Sequence, residues 1–385
     1  MIFNSNVVGI VADDLTGAND TALQFQLKGA NTQILLDEDN APVNLKTTQT
    51  WAISTESRNI DPQSAYEKAK SAAAFLKENI NPDFYYKKID STVRGNIAVE
   101  VLAMLDVLDY DAVVLIPAFP QEGRVTVGGY HLLKGVPIER TEMARDPHSP
   151  IFESHLPILL RSQLGDENKD LIGSIELTTV MKGAGPILMK LKELISEGKK
   201  IIVMDSVSTV DIEQIVLAIG KSEYKILPAG TAAAAQVLSG IWLPDVSPQH
   251  FSKTFPELPK LVISGSATQI TSNQITRLEE ADDFENILVI HLDMKTILDG
   301  VMDELVERIT SNLGSNNIVV VHTSDLIRDF DGFSEFSLNA ELTKSGLANV
   351  ITDFLAELTR RVVSQKDVIL ILSLIHISEP TRHAQ

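Results

Sequence analysis

Asp13 and Asp14 stand side by side after the apolar run Val7 to Ala12 and before Leu15-Thr16-Gly17-Ala18-Asn19-Asp20-Thr21. Two adjacent carboxylates, a glycine and a helix N-terminus can orient a hydroxylated ligand or hold Mg²⁺. The plainer reading is a helix capped by Asn19 or Asp20, with Asp13 and Asp14 solvated. The string is neither a Walker A loop, lacking Gly-Lys-Ser/Thr, nor a Gly-x-Gly-x-x-Gly fingerprint. Ala12 stands where a phosphatase of the Asp-x-Asp type would need an acid.

A second polar cluster is Lys87-Lys88-Ile89-Asp90-Ser91-Thr92-Val93-Arg94-Gly95-Asn96. Arg94 offers a bidentate match to a carboxylate or phosphate, and Lys88 a mobile point charge suited to a transferring phosphoryl group. Asp90, at the end of an apolar strand, is a candidate general base for a hydroxyl, with Asp14 its rival. A purely structural Asp90–Arg94 ion pair is the competing reading. A third region, Pro117-Ala118-Phe119-Pro120-Gln121-Glu122-Gly123-Arg124 onward through His131 to Arg145-Asp146-Pro147, is long and glycine-rich, as substrate-covering loops often are. His131 reads as structural rather than catalytic. Ser264-Gly265-Ser266-Ala267-Thr268 is a turn of small residues whose backbone amides could approach phosphate, or a turn chosen only for packing.

The elements that must position these loops alternate. Val7–Ala12, Thr32–Leu36, Phe84–Ile89 and Ala112–Ile116 read as strands, and Asp20–Lys28, Ser64–Asn79 and Ile97–Leu108 as helices between them. Strand 200–204, helix 210–221 and strand 225–227 continue the series. Prolines 244, 248, 256 and 259 interrupt it. Beyond them come strand 261–264, helix 272–280, strand 287–292, helix 296–312, strand 318–322, helix 339–363 and strand 368–372. The expected fold class is α/β in two domains, each a mostly parallel sheet flanked by helices. Their bounds are 1–242 and 260–372, with a Pro-rich linker at 243–259. In such sheets ligands sit at the carboxyl ends of the strands, where all four loops fall.

Composition narrows the classes. The chain has 385 residues, enough for two domains, and its 33 Lys and Arg against 52 Asp and Glu give a net charge of −19. Such a surface repels nucleic acid and anionic membranes. No cysteine is present, which excludes disulfides, Cys-zinc sites and thiol nucleophiles. The start carries no signal peptide and no apolar stretch is long enough to span a membrane, so a cytoplasmic protein is expected. Residues 373–385 read as translated adapter DNA rather than native protein, and the natural C-terminal part of the second domain is expected to be missing.

Taken together, Ala12 to Thr21, Lys88 to Asn96, Pro117-Ala118-Phe119-Pro120 with Gly123-Arg124, and Ser264-Gly265-Ser266 resemble the four-carbon acid sugar kinase family. The resemblance covers about residues 6 to 372. Its Asn19-Asp20-Thr21 and Lys88-Ile89-Asp90-Ser91 strings are closer to the threonate and erythronate kinases than to the 3-oxo-tetronate kinases. It implies a sugar-acid-binding N-terminal domain and a nucleotide-binding C-terminal domain. It also implies ATP-dependent phosphorylation of the C4 hydroxyl of an acid such as D-threonate or D-erythronate, with ATP and Mg²⁺ as cofactors. Asp14, Arg58, Lys88, Ile89, Asp90, Ser91 and Arg94 are then the substrate-binding set. Ser264, Gly265 and Ser266 meet the nucleotide, and Asp90 and Lys88 are the catalytic pair. A 3-oxo-tetronate 4-kinase, a non-catalytic sugar-acid-binding protein, and a metal-dependent phosphatase or aldolase on Asp13 and Asp14 are the alternatives. The chain would bind no nucleic acid or membrane, and a homo-oligomer is compatible with it.

Overall fold

A computed structural model of the chain describes residues 6–36, 48–146, 148–244, 257–266, 269–280, 286–314, 317–326 and 344–373. The chain divides into two compact units, Met1–His250 and Phe251–Gln385. Most of the Pro-rich stretch, Ala267 and Thr268, residues 339–343 and the tail from 374 onward lie outside the described residues.

The first unit is built on an eight-stranded parallel sheet. In chain order the strands and helices are β1 (Val8–Ala12), α1 (Leu15–Leu27), β2 (Thr32–Leu35), β3 (Thr50–Ser54), α2 (Pro62–Phe75), β4 (Phe84–Lys88), α3 (Ile97–Val107) and β5 (Ala112–Ile116). A small antiparallel sheet follows, β6 (Arg124–Val127), β7 (Tyr130–Leu133) and β8 (Val136–Pro137). Then come α4 (Leu156–Leu164), β9 (Ile172–Ile175), α5 (Leu177–Val180), α6 (Ala184–Ser196), β10 (Ile201–Met204), α7 (Thr209–Gly220), β11 (Ile226–Gly230) and α8 (Ala232–Trp242).

The order across the main sheet is β2-β3-β1-β4-β11-β5-β10-β9. From β1 the chain first moves to one side, through β2 and β3, and then crosses to β4 on the other. The gap between the carboxyl ends of β1 and β4 is therefore a topological switch point, where such sheets open a ligand crevice.

Period-2 alternation sorts the side chains onto two cores, one per face. Val8, Ile10 and Ala12 of β1, Tyr86 of β4 and Val114 of β5 pack on one face with Phe25, Ile215 and Leu238 of the helices. Val11, Tyr85, Val113 and Leu115 pack on the other with Ala72, Val101 and Met104. The same alternation separates the adjacent lysines at the end of β4. Lys87 follows Tyr85 to the α3 face and pairs with Glu100, while Lys88 follows Tyr86 to the α1 face, beside Gly17.

The second unit holds β12 (Lys260–Ser264), α9 (Gln269–Glu279), β13 (Ile287–His291), α10 (Met294–Leu298), α11 (Asp303–Asn312), β14 (Ile318–His322), α12 (Lys344–Val363) and β15 (Ile369–Ser373). Its sheet is parallel in the order β13-β14-β12-β15, around a core of Leu261, Ile263, Val319, Val321, Leu355 and Leu358.

Both units are thus parallel α/β sheets, as expected, with several corrections to the elements. The first helix starts at Leu15 rather than Asp20, because Asp14, extended at φ −146°, caps it by accepting the Gly17 N–H at 2.7 Å. The helix expected over 296–312 is two helices parted at Gly300, whose φ of 65° no helix interior adopts. β3, the antiparallel sheet, α4, β9, α5 and α6 are additional to the elements expected from the sequence.

Candidate functional site

β1 ends in register with its neighbours, Ala12 lying opposite Ser54 of β3 and Lys88 of β4. Three loops therefore leave the sheet side by side at the switch point: 13–14, 55–61 and 89–96. Asp13 is buried, and its carboxylate takes two bonds from Arg58, Nε to Oδ2 at 2.7 Å and Nη2 to Oδ1 at 3.0 Å. Burial pushes this carboxyl up, but Arg58 with Lys87 and Lys88 outweighs burial and holds it below the usual carboxylate range. Asp14 places Oδ2 2.6 Å from Arg58 Nη1. For Asp14 burial wins over Arg58, helped by repulsion from Asp13, and its carboxyl is raised. Asp13 is therefore not solvated, and Asp14 is only partly so, its side chain 16% exposed.

Arg58 sits at the centre of this cluster. Besides Asp13 and Asp14 it stands 3.8 Å from Asp90 Oδ1, and it is 9% exposed. Its three nitrogens face protein carboxylates, so Arg58 holds the loops together and has no free edge for a substrate carboxylate. The scaffold extends inward. Thr55 Oγ1 donates to Ala12 O at 2.9 Å and lies 2.6 Å from Ser57 Oγ, which donates to Glu100 Oε1 at 2.7 Å. Lys87 Nζ meets Glu100 Oε2 at 2.6 Å and Lys88 O at 3.0 Å.

The loop after β4 is tied to itself. Arg94 donates Nε to Asp90 Oδ2 at 2.8 Å and Nη2 to Asp90 Oδ1 at 3.1 Å, and reaches Asp146 Oδ2 through Nη1 at 2.8 Å. Thr92 Oγ1 adds a further bond to Asp90 Oδ2 at 2.5 Å. Burial raises Asp90, but Arg94 and Arg58 overcome it and hold the carboxyl well below the usual range. The structural ion pair between Asp90 and Arg94 is therefore real. It makes Asp90 a poor proton acceptor and leaves Arg94 no spare fork. Val93 closes the turn at φ 59°, strained for a β-branched residue, and Gly95 follows at φ 87°. Ile89 sends its side chain into the core and its N–H to Gly230 O at 2.9 Å, so it offers a ligand only its carbonyl. The half-buried Ser91 hydroxyl makes no hydrogen bond with the described residues, and its carbonyl accepts from His131 Nε2 at 2.9 Å.

Lys88 is different from its basic neighbours. It is 5% exposed, yet its ammonium makes no hydrogen bond or ion pair with the described residues. Its charge nonetheless acts on Asp13, Asp14 and Asp20 together. The space it points into is kept open by Gly17, where a Cβ would stand 2.9 Å from Lys88 Nζ and 2.6 Å from Asp14 Oδ1. Burial raises the carboxyl of half-buried Asp20 against the pull of Lys88.

The third loop folds into the antiparallel sheet. Asp205, buried at the end of β10, receives the N–H groups of Gly128 at 2.6 Å and Gly129 at 2.9 Å, which pins the β6–β7 turn. Thr126 and Ser206 exchange backbone bonds at 3.0 Å. His131 is fully buried, with Thr126 Oγ1 on Nδ1 at 3.1 Å and Ser91 O on Nε2, and burial pulls its pKa down to about 4. His131 is structural, as its sequence context suggested. Arg124, at the start of β6, carries a buried Nε with no acceptor among the described residues. Leaving such a donor unmet costs about 1–3 kcal/mol. In the sequence Arg124 stands out only as part of the Gly123-Arg124 string of the third loop and is not among the expected site residues.

In the second unit, Ser264 ends β12 opposite His322 of β14 and Ser373 of β15. Its buried Oγ has no partner among the described residues, so the turn presents an unmet hydroxyl, and Thr271 donates to Ser266 Oγ at 2.8 Å. An orphaned hydroxyl at the carboxyl end of a central strand suits a nucleotide's oxygens. Gly265 lies between the two serines, half-buried. Among the described residues no group of three or more His, Asp or Glu side chains is placed to hold a metal ion. Nor is any described helix long and apolar enough to cross a membrane.

The model of a sugar-binding N-terminal domain matches residues 8–238, and that of a nucleotide-binding C-terminal domain matches residues 261–373. A D-erythronate kinase from Heliobacterium modesticaldum is 31% identical over 366 residues, covering 93% of this chain and 80% of that protein. A D-threonate kinase from Salmonella typhimurium is 32% identical over 268 residues, which is 69% of this chain and 59% of that protein. A 3-oxo-tetronate kinase from Haemophilus influenzae is 28% identical over 324 residues, covering 83% of this chain and 75% of that protein. The fold is also that of a solved Haemophilus influenzae structure, with a TM-score of 0.65 at 23% identity over 94% of this chain and 85% of the other. A Salmonella typhimurium structure gives a TM-score of 0.72 at 21% identity over 95% and 84%.

Proposed function

This chain belongs to the four-carbon acid sugar kinase family, and from that premise we propose that it transfers the terminal phosphoryl group of ATP to the C4 hydroxyl of a four-carbon sugar acid, D-threonate or D-erythronate. The observation that carries this reading is Lys88, a residue only 5% exposed at the switch point whose ammonium makes no direct ion pair with the described residues. A cation held so, over a gap that Gly17 keeps clear, is matched to an anionic ligand rather than to the fold. Phosphoryl transfer asks little covalent chemistry of a protein and much positioning and charge neutralisation. Lys88 supplies the charge, and the Arg58–Asp13–Asp90–Arg94 lattice supplies the rigidity.

Ser91 and Asp14 would hold the acid's hydroxyls. Asp14, its carboxyl raised by burial, replaces Asp90 as the acceptor for the hydroxyl proton, since a base works best near the operating pH. Ser264, Gly265 and Ser266 would hold the nucleotide, which supplies the phosphoryl group when bound. Mg²⁺ would arrive on its phosphates, since it commonly keeps its waters and takes few carboxylates.

The test is ADP formation by the whole chain with D-threonate, D-erythronate and 3-oxo-tetronate, alongside thermal melting with each acid and with ATP plus Mg²⁺. Acid-dependent ADP release with a 4-phosphorylated product is the expected result. Acid binding without ADP release would favour a sugar-acid sensor. Phosphate release or bond cleavage without nucleotide would overturn the kinase reading.

A further inference from the structure

Five basic residues reach the crevice loops of the first unit: Arg58, Lys87, Lys88, Arg94 and Arg124. Protein carboxylates fill the first, second and fourth of these at 2.6–2.8 Å. Only Lys88 and Arg124 remain. The nearest acid to Arg124 in an ion pair is Glu122, at a long 3.6 Å from Nη1, and its Nε has no acceptor among the described residues. This is not a loosely held side chain. Arg124 exchanges backbone bonds with Phe119, at 2.8 and 3.1 Å, and the strand it begins is fastened at Thr126 by Ser206, at its turn by Asp205, and through His131 to the carbonyl of Ser91. The hairpin thereby joins Arg124 to the loop that follows Lys88. The charges of both Lys88 and Arg124 act on Asp20, and the His131–Ser91 bond ties their two segments together.

Lys88, with no direct partner among the described residues, and Arg124, with only the long Glu122 pair and an unmet Nε, offer two cations of different shape to a substrate that, before reaction, carries one charge. We propose that Arg124 binds the carboxylate of the sugar acid and so makes this site select acids over neutral polyols, leaving Lys88 beside Asp14 for the reacting hydroxyl end. The planar guanidinium fork matches a planar carboxylate in a way an ammonium does not. Lys88, wedged against the helix cap, is a point charge suited to the oxygens of a transferring phosphoryl group. This assignment rests on the kinase reading above and adds to it the residue that reads the substrate's charge.

The experiment compares the full chain with Arg124→Gln and Arg124→Lys, measuring KM and kcat for D-threonate, for the matching neutral polyol threitol, and for ATP. Arg124→Gln should raise KM for D-threonate about 100-fold while KM for ATP stays within about twofold, because one charged, fork-shaped partner of the acid alone has been lost. The preference for acid over polyol should collapse in that variant. Arg124→Lys should recover part of it, with KM still raised about tenfold for want of the second hydrogen bond. Should Arg124→Gln give no cooperative melt, Arg124→Lys decides, and an unchanged KM there overturns the assignment. A folded Arg124→Gln that still prefers acid overturns the carboxylate role alone. A parent chain that takes no tetronate at all overturns the kinase reading, and this inference with it.

Discussion

The chemistry of the first unit is decided by which charges are already neutralised. Asp13, Asp14, Asp90 and Glu100 face Arg58, Arg94 and Lys87 at 2.6–3.8 Å, and this lattice fixes three loops at the end of β1, β3 and β4. Breaking one buried partner would leave a charge uncompensated, so substitutions at Arg58 or Asp13 report on folding as much as on binding. Lys88 is the cleaner probe, because its ammonium has no direct partner to strand. Lys88→Met should lower kcat/KM for the sugar acid by roughly 100- to 1000-fold, the size expected when one group that stabilises transferred charge is removed. Its melting temperature should stay within a few degrees of the parent, since replacing a buried unpaired charge by an apolar chain of similar length is near neutral. Steady-state kinetics beside a circular-dichroism melt measures both. Unaltered kinetics in a folded Lys88→Met would remove the loop after β4 from the site.

One element, the β6–β7 hairpin, depends on an uncharged histidine. His131 donates to Ser91 O and accepts from Thr126, and burial sets its pKa at about 4, below the free value near 6.5. As pH falls, the unfolded chain takes up this proton first. Stability from the neutral ring is thus complete above about pH 6.5 and declines as pH drops toward 4, by about 3 kcal/mol in all. Asp90, held well below the ordinary range, adds its own loss only at more acid pH, so the two windows are separate. Urea midpoints at pH 7.0, 5.5 and 4.5 should fall in the parent chain and fall less in His131→Gln; parallel slopes would mean the ring is protonated in the fold. The hairpin also shows what sequence could reveal. Continuous apolar runs such as Ala112–Ile116 announce strands buried on both faces, and they form where expected. Thr50–Ser54 is as fully a strand, but it reads as one only when β1 and β2 lie against it. Lys88, Asp90 and Arg94 were visible as a charged loop, yet which of them is saturated depends on Arg58 and Asp146, residues 30 or more positions away. Arg124 was hidden by the same long-range dependence.

Across the whole molecule a net charge of −19 sets a demand that the local chemistry must meet. An acid sugar and a nucleotide are both anions, and an acidic protein repels them unless local cations and unmet donors override the general field. On the proposed reading, Lys88 and Arg124 do this in the first unit. The second ends its central strand with the Ser264 hydroxyl, which has no partner among the described residues. The two ligands should therefore leave separate footprints in amide hydrogen exchange. D-threonate should slow exchange in the segments joining β1 to α1 and β4 to α3, and in the β6–β7 hairpin through its bonds to Asp205 and Ser91. ATP with Mg²⁺ should slow exchange where β12 ends and leave those segments as they were. Protection by ATP confined to the first unit would mean that the Ser264 turn is a packing feature, and that one crevice takes both anions. Separate footprints would divide the work along the break at residue 250, with charge recognition in one sheet and the phosphoryl donor in the other.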